Sequence, residues 1–121
     1  MTPRQRTMEK GLNRANEPGV LILTSLAGGE KHGYALAQDI EEFAGVTLGP
    51  GTLYGAITRL EERGLIEATE GDDRRRPYRI SAAGRAALGV AVRDMRVIAD
   101  EGAARLGLAL VSRRPGLGWI S

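Results

Sequence analysis

The most restrictive feature of this sequence is a pair of very short strand-like runs that follow a series of helix-like segments. Residues 65–70 and 77–80 alternate apolar and polar side chains, and the glycine and aspartates at 71–73 predict a turn between them. Two strands of this length are marginal by themselves, so they must pack against helices. The sequence therefore predicts a mainly α-helical fold with one small β-hairpin.

The first two predicted helices each end at glycine. The first follows Pro18, which suits a first helical turn, and stops at Gly28 and Gly29. The second runs over residues 33–43 and stops before Gly45. Their apolar residues recur at helical spacing and predict the buried faces. These residues are Val20, Leu23, Leu26 and Ala27 in the first helix, and Leu36, Ile40 and Phe43 in the second.

The third predicted helix spans residues 50–63 and has the clearest start. Pro50 suits its first turn, and Gly64 follows its end. Leu53, Ile57 and Leu60 recur at positions i, i+4 and i+7, which predicts that they form the buried face.

A longer helix is predicted over residues 82–112, with Ser81 as its N-cap. One of its faces carries apolar or small residues at alternating spacings of four and three, which is a heptad seam. The seam consists of Leu88, Val92, Met95, Ala99, Gly102, Leu106 and Ala109. It packs either within the domain or against a second chain. Because so small a domain cannot cover so long a seam, we predict a dimer interface.

The two ends of the chain are predicted to lie outside the main domain. Residues 1–16 are polar and carry four basic side chains against one acidic one, so they form either a basic arm or a marginal helix. Residues 113–121 form a tail in which Trp119 is the potential anchor.

Composition excludes several classes of site. The chain has no cysteine and one histidine among 121 residues, so it cannot assemble a common structural zinc site or a Cys–His catalytic pair by itself. It also lacks the nucleophile-elbow, P-loop and metalloprotease motifs. We therefore expect neither enzyme activity nor a metal or cofactor. No apolar stretch reaches the roughly 18 residues of a membrane span, and no signal peptide is recognisable, so we expect a cytoplasmic protein.

The net charge is small, but the basic side chains are clustered. The net charge is +2, yet Arg74, Arg75 and Arg76 stand together at the predicted hairpin turn. All but two of the 17 basic side chains are arginine, which binds phosphate in a planar, bidentate way. The same excess of arginine can also reflect the base composition of a genome.

The order of elements over residues 17–81 is that of a winged helix-turn-helix domain. In such a domain a helix enters the major groove of DNA, where base edges are distinguishable, and the hairpin reaches the flanking backbone. Here the helix over residues 50–63 would enter the groove, and the wing over residues 71–77 would lie on the flanking backbone or minor groove. The low net charge leaves a second interpretation open, a winged-helix module that binds only proteins.

Four stretches of the sequence resemble one family when taken in order. They read HGYAL over 32–36, LGPGTLYGAI over 48–57, RLEERGLI over 59–66 and RRPYRISAAG over 75–84. Together they resemble the PadR-family transcriptional regulators, in the branch with a single C-terminal helix. The chain departs from the family's usual residues at Gly49, where serine is usual, and at Ser81, where threonine is usual.

This resemblance implies a prokaryotic repressor that binds a palindromic operator as a homodimer, joined through its N-terminal and C-terminal helices. It also implies that an apolar or aromatic effector can bind near the dimer interface.

The candidate DNA-contacting residues lie on the second helix, the third helix and the hairpin. They are Tyr34, Gly51, Thr52, Tyr54, Arg59, Arg74, Arg75 and Arg76. Six of them have alternatives within the protein. Tyr34 can instead pack on its neighbours, Tyr54 can be partly buried between helices, and Arg59 has the spacing of an intrahelical pair with Glu62. The three consecutive arginines can also pair with Asp72 and Asp73.

Overall fold

The structure is a computed structural model that describes residues 16–70 and 76–108. Within these ranges the chain forms, in order, α1 (Pro18–Ala27), α2 (Gly33–Ala44), α3 (Pro50–Glu62), β1 (Ile66–Ala68), β2 (Tyr78–Ile80) and α4 (Ala82–Leu106). The predicted fold class, mainly helical with a small β wing, is confirmed. The predicted tail, nearly all of the predicted arm, and Arg74, Arg75 and Ala109 lie outside the described residues.

Helix α1 is buried over more of its surface than its sequence stripe predicts. Leu23 and Leu26 are buried as expected, but Leu21 and Ile22, which the predicted stripe omits, are buried as well. Helix α1 contacts α2, α3 and β2, so neighbours surround it. A helix enclosed in this way has no single apolar stripe.

Helix α2 buries the predicted face, except at its C-terminal end. Leu36 and Ile40 are fully buried, but Phe43 is 48% exposed, so its predicted place in the core is wrong. The buried face instead runs through Gly33, Leu36 and Ile40, which shifts the contact towards the start of the helix. Gly45 then ends α2 in the left-handed region, with φ 68°.

Helix α3 confirms the predicted periodicity. Leu53, Ile57 and Leu60 are all buried, together with Ala56. Pro50 occupies the first turn as predicted, and the chain leaves the helix through Gly64 at φ 72°. One whole face of α3 is therefore committed to the core, and its other faces are available.

Strands β1 and β2 pair antiparallel and are shorter than the predicted runs. Ile66 pairs with Ile80, and both face the core. The backbone of Lys31 pairs with Tyr78 on the other edge of β2, an interaction that no strand pattern in the sequence predicts. Strand β2 therefore has a hydrogen-bonding partner on each side.

Helix α4 starts at a capped and tightly packed corner. The Ser81 hydroxyl accepts a hydrogen bond from the Gly84 amide at 3.0 Å, which confirms the predicted N-cap, and donates one to the Gly64 carbonyl at 2.6 Å. Gly84 is buried, and a Cβ there would lie 2.8 Å from Ile80 Cγ1 and overlap the Leu65 carbonyl oxygen.

Among the described residues, those up to Ala91 and those from Val92 onwards form two compact units. Leu88 is 9% exposed and belongs to the core of the first unit. Its assignment to a dimer interface is therefore corrected, because its side chain is already packed within the protomer. In the second unit Val92, Ile98 and Leu106 are exposed.

None of the helices within residues 16–70 and 76–108 combines the length and the apolar character that crossing a membrane needs.

Candidate nucleic-acid interface

The start and the outer face of α3 carry half of the predicted contact residues. Thr52, Tyr54, Thr58 and Arg59 are exposed there, opposite the side chains that α3 buries. Sequence reasoning omitted Thr58, although its position on the helix, away from the buried stripe, was a sufficient signal. Its hydroxyl donates to the Tyr54 carbonyl at 2.9 Å, which keeps it close to the helix backbone.

The start of α3 presents bare backbone. Gly49 is the N-cap and supplies no side-chain hydrogen bond, and a Cβ built on Gly51 meets no atom within 4 Å. The first amide groups of a helix have no intrahelical partner and carry a partial positive charge. This end of α3 can therefore lie close to a negatively charged surface.

Tyr54 combines the two roles that the sequence left as alternatives. Its side chain is 48% exposed, and its ring lies against Gly33 at the start of α2. A Cβ on Gly33 would stand 2.8 Å from Tyr54 Cζ, so the absence of a side chain at Gly33 is what admits the ring. Packing fixes the ring, while its exposed portion remains available for contact.

Tyr34 lies on the outside of α2. It is 69% exposed, and the Gln38 side-chain amide donates to its hydroxyl at 3.2 Å. Most of this side chain is therefore in solvent rather than packed on its neighbours. His32 precedes it as the N-cap of α2 and makes no side-chain capping bond.

The alternative for Arg59, an intrahelical ion pair with Glu62, does not form in the described structure. Within residues 16–70 and 76–108 no ion pair joins these two side chains. The Arg59 guanidinium instead lies along α3, where its Nη1 is 3.5 Å from the position of a Cβ on Gly55. This cation is therefore available on the outer face of the helix.

The hairpin supplies further charge at its described base. Arg76 is exposed, and the neighbouring Arg74 and Arg75 lie outside the described residues. Arg79 is bonded across the two strands to Glu67 at 2.9 Å, and both side chains are about half exposed. An exposed pair of this kind contributes up to about 1 kcal/mol, so it orders the hairpin surface more than it stabilises the fold.

Tyr78 links the hairpin to α3 electrostatically. Burial raises the pKa of its hydroxyl above the ordinary 10.0, Glu61 and Tyr54 raise it further, and Arg76 opposes them. The neutral form is therefore favoured in the folded protein.

We expect this preference to make the fold sensitive to alkali. A pKa that is raised on folding contributes stability that is present below about pH 10 and lost as the pH rises through the folded value. Between about pH 9 and 11, the melting temperature of the native protein should therefore fall more steeply than that of Tyr78→Phe. If the melting temperatures of the two proteins fall equally with pH over this range, the effect is contradicted.

Residues 16–70 and 76–108 contain no cluster of three or more histidine, cysteine, aspartate or glutamate side chains placed to hold a metal ion.

Three helices followed by a hairpin, with the outer face of the third helix exposed, define a winged helix-turn-helix domain. A family model described as "Transcriptional regulator PadR-like family" matches residues 22–90. The chain therefore belongs to the PadR-like family and is a DNA-binding transcription regulator.

Relatives agree with this assignment. The chain is 41% identical over 83 residues to "Transcriptional regulator Rv3488" of Mycobacterium tuberculosis. This match covers 66% of this chain and 77% of that protein. It is 46% identical over 72 residues to an uncharacterised 37.1 kDa protein of transposon TN4556 in Streptomyces fradiae. That match covers 60% of this chain but only 21% of the Streptomyces protein.

A solved structure shows the same fold. The crystal structure of a PadR family transcription regulator from Clostridium difficile R20291 has a TM-score of 0.66 and 24% sequence identity, and the match covers 75% of this chain and 98% of that chain.

Proposed function

We propose that this regulator is a repressor that binds a palindromic operator as a homodimer, with α3 in the major groove and the wing over residues 71–77 on the flanking backbone or minor groove. The observation that best supports this proposal is that α3 has one buried side and one exposed side. One side is buried in the core, while the other exposes Thr52, Tyr54 and Arg59 beside a bare N-terminus. This is the arrangement that a groove-reading helix needs, because its support and its contacts use different faces. Occupying an operator would repress by excluding polymerase from the same DNA.

The proposed dimer interface is the part of the α4 seam beyond the core. It consists of Val92, Met95, Ala99, Gly102 and Leu106. At about 100° per residue these positions fall on one side of the helix. Val92 and Leu106 are 38% and 75% exposed, and Met95 is partly exposed. The charged side chains of this stretch fall outside the seam. Such a surface suits a second copy of the same helix.

The remaining parts of the proposal follow from this role. We propose that the protein acts in the cytoplasm without enzyme activity, and that the predicted basic arm over residues 1–16 adds phosphate contacts. Where a small apolar or aromatic effector acts on the regulator, we propose that it binds beside the seam.

A selection of bound fragments from random duplex DNA tests the proposal directly. We expect enrichment of an inverted repeat whose half-sites lie about 10 base pairs apart, since two α3 helices related by a two-fold axis enter successive turns of the groove. Enrichment of a single, unrepeated half-site would contradict the dimer. Absence of any duplex affinity at low salt would leave the protein-only module.

The wing arginines should carry a large share of the salt-dependent affinity. Each phosphate neutralised contributes about −0.9 to the slope of log affinity against log salt. Replacing Arg74, Arg75 and Arg76 together by alanine should therefore weaken binding to all sequences and flatten this slope by up to about 2.7. Fluorescence anisotropy of a labelled duplex at several salt concentrations measures both effects.

The matched control replaces Arg85, Arg93 and Arg96 of α4 by alanine. It removes the same charge from exposed positions outside the proposed interface with DNA. An equal flattening in the control would show that net charge, rather than the wing, sets the slope.

A further inference from the structure

We infer that Lys31 is a positioning residue for the wing, because its backbone holds β2 while its ammonium group ties that backbone to α1 and α2. The inference rests on the proposed contact between the wing and DNA. Lys31 would affect this contact by holding the base of the wing, without touching DNA itself.

The backbone of Lys31 completes the base of the hairpin. The Tyr78 amide donates to the Lys31 carbonyl at 2.9 Å, and the Lys31 amide donates to the Tyr78 carbonyl at 3.2 Å. Arg76 and Pro77 directly precede Tyr78 in the sequence. Lys31 therefore holds the residue at which the chain returns from the wing to the sheet.

The side chain of Lys31 is fixed at the end of α1. Its Nζ donates to the Ser25 carbonyl at 2.7 Å and to the Gly29 carbonyl at 3.3 Å. The last carbonyls of a helix lack intrahelical partners and favour a cation, and α1 has no basic residue in its own last turn. Gly29 has φ 149°, a backbone conformation that residues with a side chain rarely adopt. This conformation lets the chain turn back towards α1.

A second contact ties the same ammonium group to α2. Lys31 Nζ lies 3.9 Å from Asp39 Oδ2, and the two side chains are 22% and 34% exposed. That oxygen also accepts a hydrogen bond at 2.6 Å from the hydroxyl of Ser25, which is buried. Because both side chains are partly buried, water and salt screen this ion pair less than an exposed one.

Loss of the ammonium group would release the base of the wing. The loop between α1 and α2 would lose its anchors, and Tyr78 would lose a fixed partner on the outer edge of β2. The ladder of three residue pairs between β1 and β2 is marginal by itself. Tyr78, and with it the adjoining Arg76 and Pro77, would then be held less firmly, and ordering them on binding lowers affinity.

The test uses the full chain with Lys31→Met, the conservative Lys31→Arg, and Arg85→Met as a control for loss of one exposed positive charge. Amide hydrogen exchange at Tyr78, followed by NMR, reports on the base of the wing without DNA. Affinity for the selected duplex is then measured for each variant, alone and combined with the triple alanine replacement of the wing arginines.

We expect Lys31→Met to speed exchange at Tyr78 about tenfold while leaving Ile57 in the core of α3 protected. It should also weaken duplex binding about tenfold in the native background and have no further effect once the wing arginines are gone. Lys31→Arg should keep both Tyr78 exchange and duplex affinity close to those of the native protein. Arg85→Met should leave Tyr78 exchange unchanged and act equally in both backgrounds.

Each opposite result is informative. Unchanged exchange at Tyr78 would overturn the positioning role and leave the proposed function standing. Faster exchange with an additive loss of affinity would show that Lys31 acts on DNA independently of the wing. If the triple alanine protein binds duplex as the native protein does, the wing's role in the proposed function fails, and with it the effect of Lys31 on binding.

Discussion

Replacing Gly84 by alanine is expected to destabilise the fold by about 2 kcal/mol or more, even though alanine is the better helix former. The new Cβ would overlap the Leu65 carbonyl oxygen and lie 2.8 Å from Ile80 Cγ1. The Leu65 carbonyl cannot easily move away, since it accepts the Ser81 amide at 3.0 Å at the start of α4. A change of this size lowers the melting temperature of a small domain by about 10 °C, which thermal denaturation followed by circular dichroism detects.

Gly55→Ala is the matched control for this change. Gly55 also lies inside a helix, but the nearest atom to a Cβ there is the flexible end of Arg59 at 3.5 Å. We expect this replacement to leave the stability unchanged or raise it by up to about 1 kcal/mol. Equal melting temperatures for the Gly84→Ala and native proteins would show that α4 can shift away from the sheet at little cost.

The double replacement of Val92 and Met95 by glutamate is expected to give a monomer that no longer binds its operator. Both residues lie in the proposed seam, and two copies would bring four carboxylates into one apolar interface. Burying unpaired charges costs several kcal/mol, which exceeds what the remaining contacts of a small interface supply. Losing the linkage between two half-site contacts should then reduce operator affinity about a hundredfold or more. Analytical ultracentrifugation and duplex titration measure the two effects.

Val90 and Val97 provide a control on the same helix. They are 50% and 65% exposed and lie about half a turn away from the seam. Replacing both by glutamate adds the same charge to α4 but should leave the dimer intact. Dissociation of this control, with the seam variant still dimeric, would place the interface on the opposite face of the helix.

Local signals account for the parts of the fold that the sequence predicted well. The start of α3 follows from Pro50, its buried face from the spacing of Leu53, Ile57 and Leu60, and the start of α4 from the hydroxyl of Ser81. Each of these features depends on residues within a few positions of one another. The exposed face of α3, where the proposed DNA contacts lie, could be predicted for the same reason, as the complement of its buried stripe.

The features that sequence reasoning missed depend on distant partners. Phe43 has the spacing of a core residue, yet no neighbouring element covers the end of α2 enough to bury it. Gly33 matters because of Tyr54, and Lys31 matters because of Tyr78, and nothing near either residue in the sequence signals its partner. Periodicity describes one element at a time, so it cannot specify which elements meet or how much of each is covered.

The contact between Gly33 and Tyr54 makes two distant positions share one volume. Any side chain at position 33 would need the space that the tyrosine ring now fills, and a smaller residue at position 54 would leave a gap at the start of α2. Neither position should therefore tolerate a replacement by itself. The packing of α2 against α3 at this point depends on the two residues together rather than on either one alone.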